Sequence, residues 1–305
     1  MRNLKIGQVE LNLDYYKGYD AYSDGDIEDE ILSYVENEAD LADIIRKDDR
    51  WPILYHLSPI RRNLLEWIEF DHTQVGLEVG AGCGALTGVL CEGSLKVDAI
   101  ELSLKRAKIL AGRNKDKDNL NVLVGNFNDI PLADQAYDYI TLIGVLEYAA
   151  HYTNTANPFQ DFLNNLYSKL KPNGRLIVAI ENKFGLKYWS GAREDHTGEF
   201  FDGLENYKPD SNARTFSKSE LDTLLQQCGF DHCEFYYPYP DYKMPKQIFS
   251  DDYLPDASFG GETPNYDMDR VRLFNEKKVL NNVIQNEMFP FFSNSFLVIC
   301  QKGAD

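Results

Sequence analysis

Three glycines stand at alternate positions between two apolar runs of the chain. In "VGLEVGAGCGALTGVL" they are Gly80, Gly82 and Gly84. A glycine-rich turn between a strand and a helix lets backbone N–H groups approach a ligand closely. Glu78, two residues before the first glycine, would repel a pyrophosphate and suits a ligand that carries an ammonium group. The spacing also differs from the G-x-G-x-x-G of dinucleotide-binding turns.

Short apolar runs and helical stretches alternate around this turn. The runs at 75–79, 97–100, 122–124, 139–143 and 175–180 are predicted strands, and 86–91, 104–113 and 159–170 are predicted helices. Nearly continuous apolar strands that alternate with helices predict an α/β fold, with a doubly wound, mostly parallel sheet covered on both faces. We expect residues 1–70 to form a helical N-terminal extension. Residues 71–305 form the main domain, with insertions at about 182–216 and 238–293 that build a cap.

Composition excludes several classes of partner. The net charge of −18 repels phosphate-rich partners, so no nucleic acid substrate is expected. No apolar run approaches the ~20 residues of a membrane span. The five cysteines are scattered, and no histidine cluster has metal-ligand spacing, so free thiols and no metal are predicted. Together these features predict a cytoplasmic protein.

Five segments, in order, carry a resemblance to a known family. "LEVGAGCGALT" resembles the first motif of class I S-adenosylmethionine-dependent methyltransferases. "VDAIELS", "VGNFNDIPL", "DYITLIGVLEYA" and "LKPNGRLIVAIEN" resemble the ends of their second to fifth strands. The resemblance covers roughly residues 75–300. It implies a Rossmann-like, seven-stranded fold, S-adenosylmethionine as cofactor and S-adenosylhomocysteine as product.

The resemblance also implies which residues bind the cofactor. Glu101 would hold both ribose hydroxyls through charge-assisted hydrogen bonds. Asn126 would contact the adenine amine, or else only cap its loop, and Phe127 would pack on the ring. The loop of residues 144–147 would run alongside the methionine part of the cofactor. The full implied set is Glu78, Gly80, Ala81, Gly82, Gly84, Glu101, Leu102, Asn126, Phe127, Gly144, Leu146 and Glu147.

Three further segments are "WPILYHLSPIRRNLLEW", "IENKFGLKYWSGAREDHTGEFFDG" and "ARTFSKSEL…YYPYPDYKMP". In general appearance they resemble a bacterial branch of the family that acts in the biosynthesis of surface polysaccharides and of natural products, including modified peptides. This resemblance implies O-methylation of a biosynthetic intermediate, such as a modified peptide carboxylate or a surface glycan. N-methylation of an amine on a small molecule or peptide stays an alternative. A catalytically inactive binding or regulatory protein with the same fold is another. The partners are then a peptide, glycan or small-molecule acceptor, and association with biosynthetic enzymes is left open.

Two histidines are candidates for a general base, which a hydroxyl acceptor needs and a carboxylate acceptor does not. His196 follows the fifth predicted strand, and its neighbours Glu194 and Asp195 would orient it or raise its pKa. His151 follows the fourth strand. The alternative for both is a solvated loop position without a catalytic role.

Five residues are candidates for binding the acceptor: Tyr55, His56, Arg61, Arg193 and Arg214. The arginines are basic positions in an acidic chain and could grip a carboxylate or phosphate with two hydrogen bonds. Their alternative is a surface ion pair with the abundant acids. For Tyr55 and His56 the alternative is packing of the N-terminal helices.

Overall fold

The computed structural model describes residues 2–261, 263–266 and 268–304, and it divides into two compact units. The first unit is Met1–Leu142 with Ser168–Arg175, and the second is Ile143–Tyr167 with Leu176–Asp305. The first 70 residues therefore belong to the same unit as the glycine turn. The predicted boundary at residue 70 does not separate the two units.

The first unit contains the parallel strands that the sequence predicts. Its strands are β1 (Asn3–Ile6), β2 (Val9–Asn12), β3 (Val75–Val79), β4 (Lys96–Glu101), β5 (Leu120–Val124) and β6 (Tyr137–Ile143, whose last residue lies in the second unit). They are ordered β1-β2-β5-β4-β3-β6, and all neighbours except β1 and β2 run parallel. Strands β3, β4 and β5 are buried along most of their length, as a covered parallel sheet requires.

Helices connect these strands. They are α1 (Ile27–Glu36), α2 (Leu41–Lys47), α3 (Trp51–Leu57), α4 (Thr87–Gly93) and α5 (Leu104–Arg113), with 3₁₀ turns at Pro59–Leu64 and Phe127–Asp129. Helix α4 directly follows the glycine turn. Helix α5 has the predicted bounds, because Ser103 accepts a hydrogen bond from the Arg106 N–H and so caps its first turn.

The first twelve residues are not helical as expected. Strands β1 and β2 form an antiparallel hairpin, and β2 adds in parallel to β5. Val9 and Leu11 are fully buried, whereas Glu10 between them is exposed. This alternation with a period of two is the signature of a strand with one buried face. The N-terminal extension is therefore helical only from Ile27 onward.

The helical part of the extension packs beside the glycine turn. Ile31 of α1 and Ile53 and Leu57 of α3 share one buried cluster with Cys83, inside the turn, and Ile109 of α5. The guanidinium of Arg113, at the end of α5, also donates hydrogen bonds of 2.7 Å to the backbone oxygens of His56 and Cys83. Helix α3 is thus bound to the turn by apolar packing and by one arginine.

The second unit holds the remaining elements. They are α6 (Ala149–Tyr152), α7 (Pro158–Lys169), β7 (Leu170–Glu181), α8 (Leu186–Trp189), α9 (Lys218–Gln227), β8 (Phe230–Tyr239), β9 (Gln247–Ser250), α10 (Glu276–Gln285), α11 (Phe289–Phe292), β10 (Ser295–Lys302) and a 3₁₀ turn at Leu146–Tyr148. Strand β7 and helix α7 cross the division between the units. The strand order is β7-β10-β8-β9, and β10, β8 and β9 are antiparallel neighbours.

The described residues thus form an α/β protein with a mostly parallel sheet, as predicted, but they contain ten strands instead of seven. The three additional strands are β1, β2 and β9. Strand β9 lies inside the segment 238–293 that was predicted as an insertion, and it extends the sheet by pairing with β8. Among the described residues, every helix is too short or too polar to cross a lipid bilayer.

Candidate functional site

The glycine turn leaves open space beside its backbone. Gly80, Gly82 and Gly84 all have positive φ angles, of 73°, 56° and 74°. A β-carbon placed on Gly82 would meet no atom within 4 Å, whereas one on Gly84 would lie 3.0 Å from the Cα of Leu110 in α5. Gly84 therefore permits the close approach of α5, and Gly82 presents bare backbone to a ligand.

The carboxylate of Glu101 faces this turn from the end of β4. Its Oε2 accepts a hydrogen bond of 2.7 Å from the Gly82 N–H, and its Oε1 accepts one of 2.8 Å from the Ser103 N–H. Burial raises the pKa of Glu101, although Arg106 and the two backbone N–H groups oppose the shift. Each oxygen keeps a further lone pair. The geometry fits a carboxylate that accepts hydrogen bonds from two neighbouring hydroxyls.

Glu78 lies buried at the end of β3, below the turn. Its Oε2 accepts a hydrogen bond of 2.6 Å from the Thr87 hydroxyl. Burial raises the pKa of Glu78 to about 8, against the effect of that hydrogen bond, and the nearby charge of Glu101 adds to the rise. A cation beside this group would favour its ionised form. The site therefore fits the ammonium group of a ligand such as S-adenosylmethionine.

The remaining implied cofactor residues of the first unit lie at strand ends. Asn126 follows β5, and its side-chain oxygen accepts a hydrogen bond of 3.0 Å from the Asn128 N–H, so it does cap the next turn. Phe127 and Ala81 are buried, and Leu102 is half-buried. The cap leaves the predicted adenine contact of Asn126 untested.

Three implied cofactor residues lie in the second unit and are described there. Gly144 has a φ of 67°, and its N–H donates to the Ala179 oxygen of β7 at 2.9 Å. Leu146 and Glu147 follow in a 3₁₀ turn, and both are buried. The Glu147 carboxylate faces the ring of His196, so this unit gives Glu147 a neighbour that the sequence did not indicate.

His196 is the centre of a buried cluster of charged groups. Its Nδ1 is 3.0 Å from Oε1 of Glu194, and its Nε2 is 3.5 Å from Oε1 of Glu147 and 3.6 Å from Oε2 of Glu181. Burial acts to lower the pKa of His196, but the three carboxylates outweigh it and raise the pKa well above the ordinary value. Of its two acidic neighbours in the sequence, Glu194 contacts the ring directly. A raised pKa favours the imidazolium form, which carries a proton on both ring nitrogens, whereas a general base must start with one nitrogen unprotonated. The role of general base therefore stays a prediction.

Two lysines belong to the same cluster and were not singled out from the sequence. Lys243 forms a hydrogen bond to Oε1 of Glu181 and lies 3.2 Å from Oδ2 of Asp195. Lys187 of α8 donates to the same Asp195 oxygen at 2.5 Å and lies 3.5 Å from Asp241. In the sequence, the signal that could have indicated this cluster was the pair of acids Glu147 and Glu181, which follow the fourth and fifth predicted strands. Open α/β sheets bind ligands at that edge.

The structure gives protein neighbours to His151 and to the candidate acceptor arginines of the second unit. His151 lies exposed on α6, against the ring of Tyr152. Arg193 pairs with Asp269 at 2.6 Å, and Arg214 donates to Asn206 at 3.2 Å and lies 3.8 Å from Glu220. These placements match the alternatives of a solvated histidine and of surface polar pairs. Roles in binding an acceptor stay predictions.

The three acceptor candidates of the first unit pack within the N-terminal extension. The guanidinium of Arg61 lies 4.2 Å from the ring centre of Tyr55. His56 is buried, with its Nε2 2.7 Å from Oδ2 of Asp24, and burial lowers its pKa. Arg106 also binds Asp24, at 2.8 Å. His56 is therefore part of the packing between α3 and α5, as its structural alternative requires.

Comparison with known proteins identifies one domain. Residues 77–176, about a third of the chain, match a family model described as "Methyltransferase domain". This range begins in β3, includes the glycine turn and Glu101, and ends in β7. The matched residues form a methyltransferase domain, and S-adenosylmethionine is its cofactor.

Curated relatives match part of the chain. A ubiquinone biosynthesis O-methyltransferase of Rickettsia bellii is 28% identical over 153 residues, which are 48% of this chain and 60% of that protein. A demethylmenaquinone methyltransferase of Tropheryma whipplei is 33% identical over 102 residues, 33% of this chain and 39% of that protein. The matched region thus spans less than two thirds of the length of either relative.

A solved structure resembles the fold over most of the chain. Phosphoethanolamine N-methyltransferase 1 of Haemonchus contortus, in complex with phosphoethanolamine and S-adenosylhomocysteine, aligns with a TM-score of 0.51 and 12% identity. The alignment covers 91% of this chain and 49% of that one. At this identity the likeness concerns the fold alone.

Proposed function

We propose that the whole chain is an S-adenosylmethionine-dependent methyltransferase, and that it methylates an oxygen of a biosynthetic intermediate. The observation that carries the proposal is the Glu101 carboxylate, which is hydrogen-bonded to the open glycine turn at Gly82. A fold without a cofactor has no need to bury an acid beside bare backbone. The match of residues 77–176 to a methyltransferase domain supports the same reading.

In this proposal each residue at or near the glycine turn contributes one contact to the cofactor. Glu101 accepts hydrogen bonds from both ribose hydroxyls, and Glu78 balances the ammonium group. Gly82 leaves its backbone open to the ligand, and Asn126 and Phe127 contact the adenine. Bound S-adenosylmethionine supplies a methyl group already activated by the sulfonium charge. The protein then has to exclude water and to hold the acceptor oxygen in line with the methyl carbon, with the reacting atoms about 3–3.5 Å apart.

The proposed acceptor is a modified peptide carboxylate or a hydroxyl of a surface glycan. The net charge of −18 favours a basic peptide or a neutral glycan over an anionic polymer. The names of the curated relatives add a small quinone precursor to the acceptors worth testing. A hydroxyl acceptor needs a base, for which His196 and His151 are the proposed candidates. A carboxylate acceptor needs none, and transfer to an amine is the remaining variant.

Two accompanying proposals concern the setting of the enzyme. The cysteines Cys83, Cys91, Cys228, Cys233 and Cys300 are odd in number and scattered along the sequence. This supports a reducing, cytoplasmic compartment. We also propose that the enzyme associates with the biosynthetic enzymes that make its acceptor.

The test measures thermal stability with S-adenosylhomocysteine and then methyl transfer. Ligand at ~100 times its dissociation constant should stabilise the wild type by about 2.7 kcal/mol. Glu101→Ala should lose that gain, and Glu36→Ala, an exposed acid on α1 of the same unit, should keep it.

Mass spectrometry of candidate peptides, glycans and quinone precursors incubated with S-adenosylmethionine identifies the acceptor. Protection by NADH instead of S-adenosylhomocysteine would overturn the cofactor assignment. Full protection without transfer to any acceptor would favour the inactive binding protein.

A further inference from the structure

Three side chains of the second unit bring oxygen and nitrogen atoms to one buried point. Glu147 comes from the 3₁₀ turn after β6, Glu181 ends β7, and His196 lies in the following loop. One potential ligand atom from each lies within 4.8 Å of the others. The sequence did not indicate a metal site, because the three positions are 34 and 15 residues apart.

The distances fit ligands around a shared ion better than they fit hydrogen bonds. The Nε2 of His196 is 3.5 Å from Glu147 and 3.6 Å from Glu181. A charge-assisted hydrogen bond between such groups is about 2.7–2.9 Å long. Two ligand atoms that each lie about 2.1 Å from one ion at the tetrahedral angle are about 3.4 Å apart. We propose that Glu147, Glu181 and His196 bind one divalent transition-metal ion.

Unpartnered oxygens within the cluster supply a second, independent observation. The Oε2 atoms of Glu147 and Glu181 are buried and have no hydrogen-bond partner. The two residues are only 1% and 0% exposed, so both oxygens are shielded from bulk solvent. The unpartnered oxygen of Glu181 is the one that faces Nε2 of His196. A buried carboxylate oxygen without a partner is costly, and an ion bound at Oε2 of Glu181 removes that cost.

Surrounding groups hold the ligands in the orientation that metal binding needs. Glu194 accepts hydrogen bonds of 2.7 Å from the backbone N–H groups of His196 and Thr197, and its other oxygen faces Nδ1 of the ring. A proton on Nδ1 leaves the lone pair of Nε2 directed at the two carboxylates. Histidine ligands commonly donate their second N–H to a carboxylate in this way. Lys243 fixes Glu181 through Oε1 and leaves Oε2 available.

The local charge also favours a cation. Carboxylates outnumber ammonium groups in the described cluster, whose charged members besides the ring are Glu147, Glu181, Glu194, Asp195, Asp241, Lys187 and Lys243. A divalent ion offsets this excess. The alternative to a metal ion is a second proton on the His196 ring, which offsets part of the same negative charge.

The ligand types select the class of ion. Mg²⁺ and Ca²⁺ prefer sites made of oxygen ligands alone. One imidazole with two carboxylates suits first-row ions such as Zn²⁺, Mn²⁺ or Fe²⁺. An ion on Nε2 would exclude His196 as the base for a hydroxyl acceptor and would leave His151 or a carboxylate acceptor. Metal binding itself is measured without methyl transfer, so its test has a readout separate from activity.

The experiment titrates Zn²⁺ into chelator-treated, full-length protein and follows binding by calorimetry. We expect one ion per chain. His196→Gln and Glu181→Gln should abolish binding or weaken it at least 100-fold. Glu194→Gln removes only the group that orients the ring, and it should weaken binding about 10- to 100-fold.

Matched controls come from exposed positions in the same unit. His232→Gln, on β8, and Glu205→Gln should bind Zn²⁺ as the wild type does. Circular dichroism of each variant without metal shows whether it is folded. If the ligand variants do not fold, wild-type protein loaded with Co²⁺ still decides the question, because its visible absorption band should appear and then disappear on addition of Zn²⁺.

Two results would overturn the proposal. One is a wild type that binds no Zn²⁺ and gives no Co²⁺ band, which would leave the protonated ring as the occupant. The other is a folded His196→Gln variant that binds Zn²⁺ like the wild type. Protection by S-adenosylhomocysteine is measured independently, so failure of the metal site and failure of the proposed function can be told apart.

Discussion

The glycine turn of the first unit and the His196 cluster of the second both place buried carboxylates at the ends of strands, but they are built differently. At the turn, Glu101 is satisfied by backbone N–H groups no more than nineteen residues away. In the cluster, Glu147 and Glu181 each keep an oxygen without a hydrogen-bond partner, and side chains from distant segments supply the opposing charge. Charged neighbours from other segments thus stabilise the cluster acids, whereas backbone geometry holds the acid of the turn.

The largest expected effect tests how far the cluster depends on Lys243, the lysine that binds Glu181. Lys243→Met leaves Glu181 buried beside two other carboxylates, so we expect the protein to lose about 3–5 kcal/mol of unfolding free energy. Chemical denaturation measures this loss. Lys218→Met removes a more exposed pair with Asp251 and should cost at most about 1 kcal/mol. Equal losses for the two variants would contradict the contrast between buried and exposed pairs.

The next effect tests the open backbone of the turn. Gly82→Val places a branched side chain into the space reserved for the ligand, and we expect the affinity for S-adenosylhomocysteine to fall more than 100-fold. Gly25→Val is the matched control, because Gly25 also has a positive φ angle and no neighbour within 4 Å of an added β-carbon. Both variants place a β-branched side chain at a positive φ angle, of 56° for Gly82 and 84° for Gly25, so both carry backbone strain. Calorimetric titration should therefore find weak binding only in Gly82→Val.

A third effect is a pH dependence at Glu78. Its pKa of about 8 keeps it mostly protonated at neutral pH without a ligand, and an ammonium group bound beside it would lower that pKa. Binding of S-adenosylhomocysteine below pH 8 then releases a proton from Glu78. The affinity for this ligand should therefore rise between pH 6 and pH 8, by at most about tenfold per pH unit. Glu78→Gln should bind with little pH dependence. A wild-type affinity that falls over this range would rule out the assignment.

The smallest effect separates the two roles of Asn126. Asn126→Ser keeps an oxygen that can cap the turn at Phe127 but loses the amide that would reach adenine. We expect unchanged stability and about fivefold weaker S-adenosylhomocysteine binding, equivalent to one hydrogen bond of about 1 kcal/mol. Unchanged affinity would leave Asn126 with the capping role alone.

The turn could be predicted because all its information is local. Glu78 and the glycines are contiguous, and Glu101 follows within one strand–helix–strand repeat. The bounds of β3 and α5 were predicted correctly for the same reason, since apolar runs and the Ser103 cap are read from neighbouring residues. Local spacing fixes both the turn geometry and the helix start.

The cluster could not be predicted because its contacts depend on tertiary packing. His196 was selected from its neighbours, but Glu181 and Lys243 are 62 residues apart and meet only in the folded chain. Arg193 was proposed to bind an acceptor, yet it pairs with Asp269, 76 residues away. The N-terminal hairpin was missed for another reason: its strands are four residues each, too short for a period of two to stand out.

Arg113 has a consequence for how the first unit opens. Because one guanidinium donates to the backbone oxygens of both His56 and Cys83, detachment of helix α3 removes one of the two hydrogen bonds that hold Arg113 beside the glycine turn. The two segments should therefore belong to one cooperative unfolding unit. In a deuterium-exchange time course, the amides of α3 and of the turn should lose protection together, and removing the first 57 residues should leave the turn unable to keep its shape.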